Sequence, residues 1–286
     1  LDFVFRRRWT VRLMALGLGV AQSLRIDKLL PLRLRGASPR VSLAELRRPL
    51  PSAQGDGPTA ALLTGCVMNV AFRPVHRATL HALAESGYRA TAPAPGGCCG
   101  ALSAHSGRPS TAAKLAKDRI REFEHADVVV ANSAGCSAHM KAYGEFLADD
   151  PKWAERAERF SAKVRDVLEL DLHATSRARG PIAVHDACHH LHAQGIGPEI
   201  RRLLTDAGAE CVEIEDAGRC CGSAGLYSVT QPEHSAGLRR QKAEAIARSG
   251  APVVAVANPG CAGQIAAGLR EIGSSVQVVH PLEWIE

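Results

Sequence analysis

The sequence predicts an α/β protein: two tandem copies of one cysteine-rich module, each a parallel sheet flanked by helices, preceded by a short helical segment. Three observations predict it. Short apolar runs alternate with amphipathic helical stretches, the pattern of strand–helix–strand units with right-handed crossovers. Cysteines recur at a fixed offset: Cys66 and Cys188, Cys98 and Cys220, and Cys99 and Cys221 are each 122 residues apart, and Cys136 and Cys261 are 125 apart. Their surroundings repeat as well: GGCCGALSAHSG at 96–107 answers RCCGSAGLYS at 219–228, and ANSAGC ending at Cys136 answers ANPGC ending at Cys261. Register kept over four cysteines means internal duplication. Of the nine cysteines only Cys211 has no counterpart.

The elements follow in the same register. In the first copy AALLTGC reads as a buried strand ending at Cys66, PVHRATLHALAESG as a helix, YRATAP as a strand, and then comes the glycine-bounded Cys98-Cys99-Gly100 loop. TAAKLAKDRIREFEHA reads as a helix, DVVVAN as a strand, and Cys136 opens a further helix. In the second copy PIAVHDAC, PEIRRLLTDAG, ECVEIED, the Cys220-Cys221-Gly222 loop, PEHSAGLRRQKAEAIARSG and PVVAVAN take the same roles. Each cysteine group thus follows a strand. Parallel sheets place ligands beyond the carboxyl ends of their strands, so the repeated cysteines of each copy are expected to converge.

The expected organisation is a basic helical segment and linker at 1–57, a first module at 58–150, a charged linker at 151–180 and a second module at 181–286. The Pro-, Gly- and polar-rich stretch from about Ser38 to Pro58 supplies the first linker. RRRWTVRLMALGLGVAQS mimics a signal peptide, but no initiator methionine precedes it and no A-x-A site follows, so an internal helix is expected. Because the sequence opens on Leu1, a native start further upstream is expected. The apolar run Leu13–Ala21 is far short of the roughly 20 residues that cross a bilayer.

A hydrophobic share of 46% with 22% charged residues places the chain among soluble globular proteins. The net charge of +6 is concentrated in Arg6, Arg7, Arg8, Arg12, Arg25, Lys28, Arg33, Arg35 and Arg40. No basic stripe interleaved with aromatics follows, so no nucleic-acid partner is expected. The basic helix suits a partner subunit, an anionic membrane face or plain solvent.

Clustered cysteines fit three chemistries. Disulfide exchange normally uses a C-x-x-C loop, absent here, and adjacent cysteines strain a mutual disulfide. Structural zinc usually takes two chelating pairs two to four residues apart, which the Cys-Cys-Gly step does not offer. Iron–sulfur ligation needs several thiolates around one inorganic core, and flanking glycines let the backbone curve round it. The candidate metal and cofactor ligands are therefore Cys66, Cys98, Cys99 and Cys136 in the first copy, and Cys188, Cys220, Cys221 and Cys261 in the second.

On TGCVMNVAFRPVHRATL, GGCCGALSAHSG and NSAGC in the first copy, and VHDACHHLHAQGI, CCGSAGLYSVTQPE and NPGC in the second, the chain resembles the cysteine-rich CCG domain of the heterodisulfide reductase B subunit and its relatives, over about residues 60–285. Within them it is most similar to the glycolate oxidase iron–sulfur branch. The resemblance implies an electron-transfer role without catalytic residues in this chain. It also implies an iron–sulfur cluster of the 4Fe-4S type, with zinc as an alternative in one module. The implied partners are flavin-containing glycolate oxidase subunits and an acceptor such as a quinone, in the cytoplasm or at the membrane's cytoplasmic face. Alternatives are heterodisulfide-type reduction, a lactate-utilisation subunit, and a zinc-binding scaffold.

Two departures from the branch stand out. The two C-x-x-C-x-x-C-x-x-x-C-P runs of a ferredoxin-like region are absent, so a C-terminal fragment or a lineage without those clusters is expected. Family members with an unusual cluster end each copy in C-x-x-C, whereas here His139 and Gln264 occupy the last position. His139 is read either as a nitrogen ligand replacing the missing thiolate or as a helix-surface histidine; His105, His139, His185 and His189 are the candidates to neighbour the ligands, where hydrogen bonds to sulfur tune potential.

Overall fold

The structure is a computed structural model that describes residues 7–26, 40–52, 55–93, 96–173 and 180–286. Arg6, Lys28, Arg33, Arg35 and Ser38, on which part of the basic-segment and linker expectations rest, lie outside these. The chain divides into two compact units, one of Leu1–Ala15 with Ala44–His173 and one of Leu16–Leu43 with Ala174–Glu286.

The expected basic helix is α1 (Arg8–Ser23), with Val11 and Ala15 buried and Leu13 and Met14 more than half exposed. A short helix α2 (Leu43–Arg47), inside the expected linker, buries Leu46. The first module continues with β1 (Thr59–Leu62), α3 (Met68–Ala71), α4 (Arg73–Glu85), β2 (Arg89–Thr91), α5 (Ala101–His105), α6 (Pro109–Phe123), β3 (Val128–Ala131), α7 (Ala134–Lys141) and α8 (Tyr143–Phe146). It ends with α9 (Ala154–Lys163) and β4 (Val164–Asp166). Its sheet has the order β2-β1-β3-β4, every pair parallel.

The second module repeats this as β5 (Pro181–His185), α10 (Cys188–Leu191), α11 (Glu199–Asp206), β6 (Glu210–Val212), α12 (Tyr227–Thr230), α13 (Pro232–Arg248), β7 (Val253–Val256), α14 (Pro259–Glu271), β8 (Gln277–Val279) and α15 (Pro281–Trp284). Its all-parallel sheet has the order β6-β5-β7-β8. The inner strands β1, β3, β5 and β7 are buried along nearly their whole length, as strands covered by helices on both faces must be. That burial explains their continuous Ala and Val runs. The α/β class with two duplicated modules therefore stands as the sequence predicts.

One expectation needs correction. The charged stretch 151–180 is not simply a linker: α9 turns Ala157 and Phe160 into the first core, and Val164–Asp166 is the fourth strand of the first sheet. The strand escapes a sequence reading because it has three residues with an exposed Arg165 at its centre. Residues 174–179 of that stretch lie outside the described ones.

The duplication also runs beyond the last cysteines. After β4, Asp166 and Glu169 form a reciprocal capping box; after β8, His280 and Glu283 form the same motif. In each sheet the chain crosses from β1 to β2 on one side and then to β3 on the other, or from β5 to β6 and then to β7. The crevice where the strand order reverses lies at the carboxyl ends of the two inner strands.

Candidate metal centres

In the first module the switch point gathers all four candidate ligands. Cys66 follows β1, Cys98 and Cys99 follow β2, and Cys136 lies on the first turn of α7 after β3. Cys98 and Cys99 are buried, and their sulfurs join a continuous set of thiol contacts. Cys66 donates to Cys98, Cys99 meets Cys98, and the Cys99 Sγ lies 3.4 Å from Cys136 Sγ. The Gly100 amide donates to Cys98 Sγ at 3.4 Å, and the Tyr143 phenol donates to the Cys99 carbonyl at 2.5 Å.

The second module repeats the set with Cys188, Cys220, Cys221 and Cys261 after β5, β6 and β7. Cys188 and Cys221 each hydrogen-bond to Cys220, and Cys221 does so to Cys261. The Gly222 amide donates to Cys220 Sγ at 3.3 Å, and Asn258 Nδ2 donates to Cys261 Sγ at 3.4 Å. All nine cysteines are free.

The glycine of each Cys-Cys-Gly step is required by its backbone. Gly100 has φ +96 and Gly222 φ +84, where a side chain is strained. A Cβ on Gly222 would also come within 2.7 Å of the Ser235 carbonyl oxygen, and one on Gly100 within 3.2 Å of that of Ala112.

The thiols share protons unevenly. Hydrogen bonds from Cys66 and Cys99 hold Cys98 well below the usual thiol range, whereas Cys66, donating to Cys98 and partly buried, is pushed up. Cys99 is raised by its bond to Cys136 and by that to Cys98, and then by burial. In the second module hydrogen bonds from Cys188 and Cys221 lower Cys220, and a bond from Cys221 lowers Cys261 despite burial. Without a cation, neighbouring buried thiolates repel, so only part of each set ionises. Metal binding would stabilise all four as thiolates, and backbone N–H groups already point at Cys98 and Cys220 as they do at metal-bound sulfur. Convergent sulfurs and amide donors to sulfur fit a thiolate-ligated metal centre.

The histidines separate by position. His185 ends β5, is 2% exposed, and its ring lies with Cys221 and Cys261 in a group whose ligand atoms are all within 4.8 Å of one another. His189 Nδ1 is 3.9 Å from Cys188 Sγ. His139 packs edge-on against Tyr143 and Phe146, and its Nε2 would be 3.4 Å from a Cβ on Gly100. Gln264, the counterpart of His139, is bonded to Ser235 Oγ at 2.6 Å. His105 is exposed at the end of α5, so the structure does not place it among the buried sulfurs.

Two buried cations were not read from the sequence. Arg119 on α6 lies beside Cys98 and pairs with Glu122 at 3.0 Å, and Glu122 accepts from the Gly96 amide. Lys242, 123 residues later on α13, donates to the carbonyls of Asp216 and Ala217 at 2.6 and 3.0 Å. Both brace the segment leading to the paired cysteines. The signal was present: Arg119 falls on the stripe Ala112, Ala116, Ile120 and Phe123, where a cation is out of place unless it binds something.

A cavity of about 410 Å³ opens onto Cys66 and Cys98, and Arg12, Arg47, Arg48 and Arg73 lie around it. Burial and then the neighbouring Arg77 push the Arg73 guanidinium below its ordinary range. No acidic residue lines this cavity among the described residues. No helix among them is long and apolar enough to cross a membrane.

Comparison with known proteins agrees with this geometry. The chain is 38% identical over 243 residues to the probable glycolate oxidase iron–sulfur subunit of Bacillus subtilis, covering 81% of this chain and 55% of that protein. It is 28% identical to the Escherichia coli glycolate oxidase iron–sulfur subunit, covering 88% of this chain and 62% of that protein. It is 32% identical to lactate utilization protein A of an Exiguobacterium species, covering 79% of this chain and 96% of that protein. The chain thus spans little more than half of the glycolate-type relatives and nearly all of the lactate-type one. Residues 60–141 and 182–266 each match the CCG cysteine-rich domain, so the chain belongs to the CCG cysteine-rich family and carries two copies of its domain.

Proposed function

We propose that this chain is the iron–sulfur electron-transfer part of a 2-hydroxy-acid dehydrogenase complex of the glycolate oxidase type. The observation that carries this reading is the gathering of four thiols at the switch point of each sheet, with N–H donors aimed at Cys98 and Cys220. The names of the similar Bacillus and Escherichia subunits support it. Cys66, Cys98, Cys99 and Cys136 would hold one centre, and Cys188, Cys220, Cys221 and Cys261 another. When bound, an iron–sulfur cluster of the 4Fe-4S type supplies one-electron chemistry; zinc in one module is the variant of this reading.

The chain's own residues do the rest. Gly100 and Gly222 amides reduce charge on the sulfur they face, which favours the reduced state. Tyr143 fixes the Cys99 carbonyl, and Arg119 and Lys242 hold each loop so that little reorganisation accompanies electron transfer. The arginines around the first cavity suit an acidic partner surface, here a flavin-bearing subunit that oxidises glycolate, with a quinone or similar acceptor downstream. A cytoplasmic setting, at most peripheral to the membrane, belongs to the same proposal. Coverage of 96% of the lactate utilization relative favours a second reading in which the partner's substrate is lactate.

Anaerobic purification with iron, zinc and acid-labile sulfide analysis, and spectra before and after dithionite, tests the reading. Iron with matching sulfide and a visible band that bleaches on reduction supports it. Protein that stays colourless after reconstitution with iron and sulfide removes it.

A further inference from the structure

The two modules are not equivalent at their metal centres. His185 has no counterpart in the first copy: 122 residues earlier stands Leu63, buried in the first core with Cys99 and Ala101. His185 is almost fully buried, and neither ring nitrogen has an oxygen or nitrogen partner. A hydrogen bond to Cys261 engages one ring nitrogen, and a buried imidazole nitrogen left without a partner is unfavourable unless something binds it. What it faces is sulfur, since its nitrogen lies with Cys221 Sγ and Cys261 Sγ inside the 4.8 Å group, all three residues being buried.

The neighbouring Asp186 cannot serve instead. Its two oxygens are taken by Arg201 Nη1 and Nη2 at 2.8 and 2.9 Å. Cys188 and Cys220 are partly exposed. They form the outer side of the set, while His185, Cys221 and Cys261 form its floor.

We infer that His185 is a nitrogen ligand to the metal of the second module, acting with Cys221 and Cys261. This rests on the reading of the cysteine sets as metal centres. The first centre is then ligated by thiolates alone and the second by thiolates plus one imidazole. With the imidazole taking the place of one of the four thiolates, less negative charge is donated to the metal and its reduction potential rises, as in clusters where histidine replaces cysteine. The second centre is therefore the stronger electron sink, an asymmetry that the shared cysteine pattern of the two copies conceals.

The test uses the full chain purified anaerobically, with iron and sulfide measured on each sample and pulsed EPR recorded after reduction. The expected result is a strong ¹⁴N hyperfine coupling that becomes a ¹⁵N coupling when histidine is ¹⁵N-labelled, is lost in His185→Cys, and survives in His189→Leu. His185→Cys keeps a ligand in place, so it guards against simple loss of the centre, and its second potential should fall towards that of the first. Absence of coupling in the unaltered chain, or its persistence in His185→Cys, overturns the proposal while leaving the electron-transfer reading intact. Should the chain carry zinc without iron, the electron-transfer reading fails, and X-ray absorption at the zinc edge decides the ligand. A nitrogen scatterer lost in His185→Cys supports the proposal, and an all-sulfur shell in the unaltered chain overturns it.

Discussion

Arg201 holds Asp186 with both terminal nitrogens, at 2.8 and 2.9 Å, and the same guanidinium reaches both oxygens of Glu213 at 2.6 and 2.7 Å. The pairs tie α11 to the end of β5, where the segment turns towards Cys188. The acid in the HDACH segment is thereby a structural anchor.

Arg201→Ala leaves a largely buried carboxylate unpaired. Removing one partner of a buried pair costs about 3–5 kcal/mol; with Arg201 partly exposed, about 2–3 kcal/mol is expected. Thermal unfolding of the apo chain checks it, with Arg201→Lys recovering part of the loss. An unchanged midpoint in Arg201→Ala would show that the pair contributes nothing.

The same pair sets a pH response. Arg201 holds the Glu213 carboxyl below the usual carboxylate range. A depressed folded-state value means that the contribution is present above the unfolded value, about 4.3, and is lost as pH falls through the folded one. Between pH 7 and pH 3 the unfolding midpoint of Glu213→Gln should fall less than that of the unaltered chain. Parallel curves would contradict this.

Substituting the two loop glycines should give unequal results. Gly100→Ala and Gly222→Ala both force a side chain into the left-handed region, at about 1–2 kcal/mol. Only in the second does the new carbon collide with backbone, at 2.7 Å rather than 3.2 Å. Gly222→Ala should cut metal bound by the second module severely and Gly100→Ala should cut metal in the first moderately. Metal content of each variant in a background lacking the other cysteine set reads this out.

In the apo chain Cys220, partly exposed and held as thiolate by Cys188 and Cys221, should alkylate readily even at pH 6. An unperturbed thiol of pKa about 8.5 is almost wholly protonated there. Iodoacetamide mapping by mass spectrometry decides it: Cys220 should modify at least ten times faster than a model peptide thiol, and Cys188→Ala should slow it. A rate equal to that of the peptide counts against the hydrogen-bonded thiolate.

Arginines around the first cavity should make partner docking salt-dependent. Arg12→Glu with Arg48→Glu should slow reduction of this chain by the flavin-bearing subunit proposed above about tenfold or more at low ionic strength, with the difference shrinking above about 0.3 M salt. Equal rates at all salt concentrations would place docking elsewhere.

By itself the sequence determined the duplication, the α/β class and the eight ligand candidates, because these rest on local signals. An offset of 122 residues shared by three cysteine pairs, with a fourth pair at 125, strands apolar enough to be buried on both faces, and glycines bounding each Cys-Cys pair can all be read without knowing what touches what. The three-residue edge strands β4 and β8 left no such signal, since each is too short for an alternation to show and β4 carries an exposed Arg165 at its centre. Arg119 stands on the apolar stripe of its helix, yet what it and Lys242 hold became visible only once the helices were packed. The histidines show the limit most clearly: His105, His139, His185 and His189 all sit near cysteines in the chain, yet a strand ending turns only His185 into the buried sulfurs of its module, while a helix end leaves His105 in solvent. Which side chain reaches a site depends on where its element ends and which way it faces there, and only tertiary packing decides that.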